Sequence, residues 1–257
     1  MSSRSGEAMR DALAGPGGAR IRWVEIDGTE PVRVCVHGIG SQAAAYFTHA
    51  MSLPPAAGRR TLMMDLLGFG LSDRPADFGY RLEDHADAVA QALDSAGVSG
   101  VEAIGHSMGG AVMIVLASRR PDLVSRLIVA EAPLDPVPPP PPGNVGVTTF
   151  TEAEFAAGGM TQILDQVGPQ WAATMRLADP IALHRSAFGL RAGTRPAVRQ
   201  LLMALPIPRT FLVGALSTPL AGKQELEAAG VLVVTVPDAG HNIMLDNPHG
   251  FASEIAR

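Results

Sequence analysis

A tight, glycine-flanked turn between a short apolar strand and an apolar helix places the strongest constraint on how this chain folds. The turn reads Gly105-His106-Ser107-Met108-Gly109 and directly follows the β-rich run Val101 to Ile104. Behind it, the all-apolar stretch Ala111 to Ala117 predicts a buried helix that ends near Pro121. A direct passage from a buried strand into a buried helix is typical of an α/β sheet with helices packed on it.

The same alternation of strands and helices runs along most of the chain. A strand with one face exposed to solvent alternates apolar and polar residues. From the second strand run onward this alternation is mostly missing, as expected of a parallel sheet that helices cover on both faces. Leu82 to Ala96 carries apolar residues at helical spacing. The sequence therefore predicts an α/β fold with a mostly parallel central sheet flanked by helices. The strand runs are Ile21 to Ile26, Val32 to Val36, Thr61 to Leu66, Val101 to Ile104, Arg126 to Ala130, Thr210 to Val213 and Val231 to Val236.

A proline-rich stretch interrupts this alternation. Seven of the ten residues from Pro133 to Pro142 are proline, which excludes a helix or a central strand and predicts a stiff connector. Four short helical patterns follow before the β pattern resumes. We therefore predict a core of residues 21–132 and 207–257, with a proline-rich connector and helical cap at 133–206. Residues 1–20, rich in Ser, Gly and Ala, are expected to be a flexible tail. The four patterns are Glu152 to Ala157, Thr161 to Val167, Ile181 to Leu190 and Ala197 to Ala204.

Composition excludes several classes of function. The 257 residues carry a formal net charge of −5, and no short window concentrates Lys and Arg, so neither nucleic acid nor an anionic membrane is an expected partner. No stretch approaches eighteen apolar residues, and we expect a cytoplasmic protein. The single cysteine, Cys35, lies in an apolar run and is interpreted as a buried free thiol.

The turn at Ser107 has the G-x-S-x-G pattern of a nucleophile elbow. In such a turn the flanking glycines permit close backbone approach, and the serine is held in a strained conformation with its hydroxyl above the sheet. The N–H groups at the start of the following helix favour negative charge at the same place. The alternative is a glycine-rich turn that contains a serine by chance.

A second loop fits the same chemistry. Val32 to Val36 runs into His37-Gly38-Ile39-Gly40, and acyl transfer needs two N–H donors around the developing oxyanion. The backbones of Ile39 and Met108 fit this role. The segment Gly38 to Ala43 also matches the dinucleotide fingerprint G-x-G-x-x-G/A, with Asp65 as a ribose-binding acid. That interpretation leaves Ser107 without a role.

A serine nucleophile needs a general base, and His241 is the best-placed histidine. It follows the last strand run in Asp238-Ala239-Gly240-His241, and catalytic groups of such sheets gather at the carboxyl ends of strands. His106 is expected to point away from the nucleophile. His184 is a weak candidate in the inserted helices, and the remaining histidines of helical segments are expected to be solvated or packed. These are His49, His85 and His249.

Together these segments resemble the α/β-hydrolase superfamily. The resemblance rests on the loop from His37, the segment Asp65 to Pro75, the elbow at Ser107 and Gly240-His241 before Asp246-Asn247-Pro248. It implies a mostly parallel sheet, a helical cap and a triad in the order serine, acid, histidine. It also implies a structural role for Asp73 and Arg74, which fix a loop in such proteins.

The acid departs from the usual pattern of that superfamily. Its usual place is an aspartate just past the strand Thr210 to Val213, but Gly214 to Pro219 contains no carboxylate. Glu131, at the end of the preceding strand run and 24 residues after Ser107, replaces it in our interpretation. Haloalkane dehalogenases and zearalenone-type lactone hydrolases carry their acid at that strand end. Asp135 is the main substitute, and the alternative is that Glu131 only caps the strand.

The sequence thus predicts a serine hydrolase that cleaves a small-molecule ester or lactone through an acyl-enzyme, with the triad Ser107, Glu131 and His241. No cofactor and no metal are expected, and the oligomeric state is left open. Two alternatives remain: the same fold acting on another bond, as a C–C hydrolase, thioesterase or cofactor-free haloperoxidase, and a ligand sensor with slow turnover. The apolar residues of the cap suit a hydrophobic substrate. The side chains proposed to contact it are Trp171, Met160, His184 and Phe188.

Overall fold

The computed structural model describes residues 9–257, and this part of the chain contains an eight-stranded sheet. The strand order is β1-β2-β4-β3-β5-β6-β7-β8. Strands β3 to β8 run parallel to one another, whereas β1 and β2 are antiparallel to their neighbours. The strands are β1 Met9–Leu13, β2 Arg20–Ile26, β3 Thr29–Val36, β4 Arg59–Asp65, β5 Val101–His106, β6 Val124–Ala130, β7 Arg209–Gly214 and β8 Leu232–Val236.

Helices cover both faces of the sheet, which explains the missing alternation in the strands. Along β3, Val34 and Val36 belong to one buried cluster, while Cys35 belongs to the other. The helices are α1 Ala43–Ser52, α2 Leu82–Ala96, α3 Met108–Arg119, α4 Glu152–Glu154, α5 Met160–Leu164, α6 Pro169–Met175, α7 Pro180–Ala192, α8 Val198–Ala204, α9 Lys223–Ala228, α10 Ile243–Asp246 and α11 Pro248–Ile255. None of these helices in residues 9–257 is both long and apolar enough to cross a membrane.

The order of the central strands creates a crevice beside β3. The chain leaves β3 for β4 on one side and then returns to β5 on the other side. Loops that follow β3 and β5 therefore diverge, and ligands of open α/β sheets bind in the crevice left between such loops.

The prediction of a flexible tail is wrong for residues 9–20. Met9–Leu13 pairs antiparallel with β2, from Met9 opposite Val24 to Leu13 opposite Arg20, and Ala12 and Ala14 are buried. An edge strand is held by main-chain hydrogen bonds, so a segment rich in small and polar residues can form one without a strong apolar pattern. Residues 1–8 of the predicted tail lie outside the described residues.

A block of short helices, α4 to α8, lies between β6 and β7 and is called the inserted helices below. Residues 131–146 lead into it without a helix or strand. Helix α4 continues through a π-turn, Phe155–Gly159, into α5. The inserted helices contact the loops at the carboxyl ends of the strands, since Asp179 N–H donates to Gly68 O at 2.8 Å and Arg74 donates to Leu177 O at 2.8 Å.

Candidate active site

Ser107 occupies the sharp turn between β5 and α3. Its φ of 50° lies in the left-handed region, and its N–H donates to Ala130 O at 2.8 Å. A side chain at Gly109 would overlap the carbonyl oxygens of Val36 and His37, so glycine is required there. The backbone conformation is strained for a serine, and the residue lies on the wall of a cleft.

The loop after β3 is fixed around the peptide Gly38–Ile39. The Leu66 N–H donates to His37 Nε2 at 3.1 Å, so the ring proton is on Nδ1, which lies 2.7 Å from Gly38 O. Ser41 N–H donates to the same oxygen at 3.1 Å. Because the C=O and N–H of a trans peptide point in opposite directions, these bonds direct the Ile39 N–H away from them.

Met108 is the first residue of α3 and directly follows Ser107. The first N–H groups of a helix have no intrahelical acceptor and carry the positive end of the helix dipole. Ile39 lines the cleft with Ser107, whereas Met108 does not line it and is placed near Ser107 by chain order. The backbone N–H groups of both residues stay the predicted oxyanion donors.

Glu131 faces the ring of His241. Glu131 Oε2 lies 3.6 Å from His241 Nδ1, and Glu131 Oε1 accepts from Gly214 N–H at 2.7 Å. The φ of Glu131 is 54°, which turns the chain at the end of β6. Burial acts to raise the pKa of this carboxyl, but interactions with His241, Gly214 and Ser217 outweigh it and hold the pKa below its ordinary value. The group is thus ionised at neutral pH.

Asp135, the alternative acid, is engaged elsewhere. Its Oδ2 lies 2.6 Å from Arg199 Nη2, in an ion pair on the connector. Asp135 is not among the residues that line the cleft with Ser107, whereas Glu131 and His241 are. The geometry therefore favours Glu131 as the partner of the histidine.

His106 supports the loop that carries His241, a role that the sequence did not indicate. Instead of pointing away, the His106 ring lies on the cleft wall, with Nε2 2.9 Å from His241 O. A carbonyl oxygen only accepts hydrogen bonds, so Nε2 carries the proton. Burial lowers the pKa of His106 to about 3, which keeps the ring neutral. On the other side of the loop, Gly240 N–H donates to Asp246 Oδ2 at 2.9 Å.

The serine and the histidine share the cleft without a direct bond. Within residues 9–257, Ser107 Oγ makes no hydrogen bond with the His241 ring, whose side chain is 56% exposed. Catalytic hydrogen bonds of unliganded enzymes are often long and shorten when substrate binds. A direct bond between Ser107 and His241 would need one of the two side chains to rotate.

The cleft has a volume of about 320 Å³ and is mostly apolar. Trp171 of α6 lies on its wall, as expected, but Met160, His184 and Phe188 do not. Its lining residues are Gly38, Ile39, Ser41, Tyr46, His106, Ser107, Glu131, Pro133, Val137, Trp171, Leu190, His241 and Asn242.

The three expected contact residues that miss the cleft have other neighbours. His184 Nε2 lies 2.9 Å from Phe150 O, and its ring lies between those of Phe155 and Phe188. Phe188 is 41% exposed, and Met160 packs against the core. The periodicity of a short helix identifies its apolar residues but leaves open which of them face the cleft.

The dinucleotide interpretation of the loop after β3 does not fit the structure. A ribose-binding acid needs a free carboxylate. Asp65 is 1% exposed and accepts from Ala43 N–H at 2.8 Å and Leu71 N–H at 2.9 Å. Its carboxylate is therefore occupied in fixing α1 and the loop after β4.

Two structural interpretations from the sequence are confirmed. Asp73 accepts from Arg20 N–H at 2.9 Å, and Arg74 donates to Gly70 O at 3.0 Å, so both residues fix the loop after β4. Cys35 is fully buried, and burial raises the pKa of its thiol to about 12. A thiol in that state is not a nucleophile.

Comparison with known proteins identifies similar sequences and a similar fold. Residues 31–146 match the family model described as alpha/beta hydrolase fold. The 2-hydroxymuconate semialdehyde hydrolase of Pseudomonas sp. (strain CF600) is 29% identical over 201 residues, which cover 74% of this chain and 64% of that protein. The chain thus spans less than two thirds of that relative.

Two further similarities extend over most of the chain. An sn-1-specific diacylglycerol lipase of Mus musculus is 25% identical over 254 residues, which cover 89% of this chain and 81% of that protein. The crystal structure of the enol-lactonase from Burkholderia xenovorans LB400 superposes with a TM-score of 0.80 at 20% identity, covering 96% of this chain and 98% of that one. The latter similarity establishes the shared fold.

Proposed function

The chain belongs to the α/β-hydrolase superfamily, and on that premise we propose that it is a serine hydrolase that cleaves a carboxylic ester or lactone. The observation that carries the proposal is the pairing of Glu131 with His241, 3.6 Å apart, on the wall of the same cleft as Ser107. A nucleophile, a base and an acid that orients the base are the parts that acyl transfer requires.

The first half of the reaction acylates the serine. His241 takes the proton of Ser107 Oγ as that oxygen attacks the carbonyl carbon, and the N–H groups of Ile39 and Met108 stabilise the oxyanion. Glu131 stays ionised and stabilises the imidazolium. When the tetrahedral intermediate collapses, the alcohol oxygen leaves with the proton from His241.

The second half releases the acid. His241 deprotonates a water molecule, which attacks the acyl carbon, and the proton returns to Ser107 Oγ as the carboxylic acid leaves. No group other than water enters the balance. For a lactone, the alcohol and the acid are two ends of one product.

Replacement of Ser107 by alanine tests the proposal. We expect Ser107→Ala to lower kcat for p-nitrophenyl acetate by roughly 10⁴ to 10⁶, since the nucleophile is removed. The matched control is Ser95→Ala, which removes an exposed hydroxyl of α2 and should leave kcat unchanged. Unchanged turnover in Ser107→Ala would contradict the proposal, and labelling of Ser107 by a fluorophosphonate would separate an enzyme from a ligand sensor.

The second candidate is hydrolysis of a carbon–carbon bond, which the similarity to the Pseudomonas semialdehyde hydrolase favours. A muconate-type substrate is a carboxylate and would gain from a cationic partner. Among the described residues that line the cleft, none is Lys or Arg, which supports a neutral ester or lactone instead. Faster turnover of 2-hydroxymuconate semialdehyde than of any ester would reverse this order.

A further inference from the structure

We propose that the substrate carries an unbranched apolar chain on its acyl side, and that this chain lies in a second chamber beyond Trp171. The inference rests on the proposed function, because it assigns a direction to the ester in the cleft. It names the acyl part as the source of specificity.

The second chamber adjoins the cleft and has a volume of about 180 Å³. It lies between the proline connector, the turn at Val147–Thr149 and helix α7. Four residues line both spaces, so the two spaces lie side by side: Ile39, Val137, Trp171 and Leu190.

The walls of the chamber suit a hydrocarbon. Met175, Leu183 and Ala187 contribute apolar surface, and no carboxylate lies among the described residues that line it. Its one charged residue, Arg191, has its guanidinium 5.7 Å from the Phe188 ring, and Phe188 is 41% exposed. Transfer of one CH₂ from water into such a space raises affinity by up to about fourfold.

The position of the chamber selects the acyl side of the ester. Ile39, the proposed oxyanion donor, lies on its wall, whereas His241 and Glu131 do not. The leaving alcohol must face His241 to receive its proton. The acyl substituent is then directed away from His241, toward Ile39 and Trp171.

Trp171, at the boundary between the two spaces, is held in place by its neighbours. Trp171 Nε1 donates to Ile39 O at 2.9 Å, and the same ring packs against Gly40. Since the indole is held at both contacts, a chain passes beside the ring instead of displacing it. A slender unbranched chain meets this condition better than a branched one.

Two series of esters test the assignment. In p-nitrophenyl esters from acetyl to decanoyl, kcat/KM should rise by about two- to fourfold per CH₂ until the chamber is filled. Ala187→Leu fills the chamber from α7 and should lower the decanoyl/acetyl ratio of kcat/KM at least about tenfold, the value of roughly two excluded CH₂ groups. In alkyl acetates from methyl to decyl, the same variant should leave the chain-length dependence unchanged.

Two further variants serve as controls for Ala187→Leu. Ala192→Leu adds the same side chain at an exposed position of α7 outside the chamber and should keep the wild-type ratio. Thr148→Phe fills the chamber from the turn at Val147–Thr149. It should lower the decanoyl/acetyl ratio as Ala187→Leu does, and it replaces that variant in the test if Ala187→Leu folds poorly.

The outcomes separate the two proposals. An unchanged decanoyl/acetyl ratio in both chamber variants, or a loss confined to the alkyl acetates, overturns the inference while ester hydrolysis stands. If the wild-type protein hydrolyses no ester in either series and no lactone, the proposed function is overturned, and this inference with it.

Discussion

Glu131 illustrates how a single residue can supply a group that a superfamily usually places elsewhere. Its left-handed backbone turns the side chain across the end of β7, where Gly214 N–H holds one carboxylate oxygen and leaves the other for His241. We expect Glu131→Gln to lower kcat/KM for p-nitrophenyl acetate at least about 10²-fold, because an amide stabilises the imidazolium less and does not enforce the same tautomer.

The matched control for this change is Asp135→Asn. Asp135 is paired with Arg199 on the connector, so its loss should change kcat/KM by less than about threefold, as expected for a pair that includes an exposed partner. A larger loss in Asp135→Asn than in Glu131→Gln would show that the acid is misassigned.

For single residues, the sequence predicted the roles that depend on neighbours along the chain. Ser107 lies in a motif whose turn geometry depends on five consecutive residues, and His241 follows a strand end. The supporting role of His106 was not predicted, because its hydrogen bond joins residues 135 positions apart. A histidine beside a nucleophile also has no sequence pattern of its own. The contact exists only after the sheet has formed.

Among the elements, α6 connects the inserted helices to the oxyanion loop. Thr174 Oγ1 donates to Gly40 O at 3.1 Å, one residue beyond the proposed donor Ile39, and Thr174 does not line the cleft. We expect Thr174→Val to lower kcat for p-nitrophenyl acetate about fivefold with little change in KM, since a hydrogen bond contributes about 1 kcal/mol and only the positioning of the loop is affected.

Thr174→Ser should restore kcat, because the hydroxyl is retained. Equal losses in the valine and serine variants, or a rise in KM without a fall in kcat, would assign Thr174 to packing. The sequence did not predict α6. Its stability comes from docking onto the loop after β3, as is usual for short helices.

Across the whole molecule, the three most deeply buried of the described histidines make the fold sensitive to acid. Burial lowers the pKa of His37, and it lowers those of His85 and His106 to about 3. Each is neutral in the folded protein and takes up a proton only on unfolding. The stability that it contributes is therefore present above pH 6.5 and is lost as the pH falls below 6.5 toward the lowered pKa of the folded state. The free energy of unfolding should fall by about 1 kcal/mol per pH unit for each histidine.

Urea unfolding at pH 7, 6 and 5 measures this slope. His85→Gln should reduce it by about one third, as one of the three groups is removed. His49→Gln replaces an exposed histidine of α1 and should leave it unchanged. A slope that is the same in both variants would contradict the argument. The sequence predicted that His85 is packed or solvated, but its burial depends on α7, where Ser186 Oγ lies 3.2 Å from His85 Nε2.

Because Glu131 lies at the end of β6, the proposed reacting groups are distributed unevenly before and after the inserted helices. In the proposed site, Ser107 and Glu131 precede the inserted helices, as do the backbone donors of Ile39 and Met108. Only His241 follows the inserted helices. The 76 residues between Glu131 and Pro208 therefore form one contiguous block that can change in length or sequence, provided that α6 still holds the loop after β3. Such a scaffold could acquire a new substrate range during evolution while its reacting groups stay where they are.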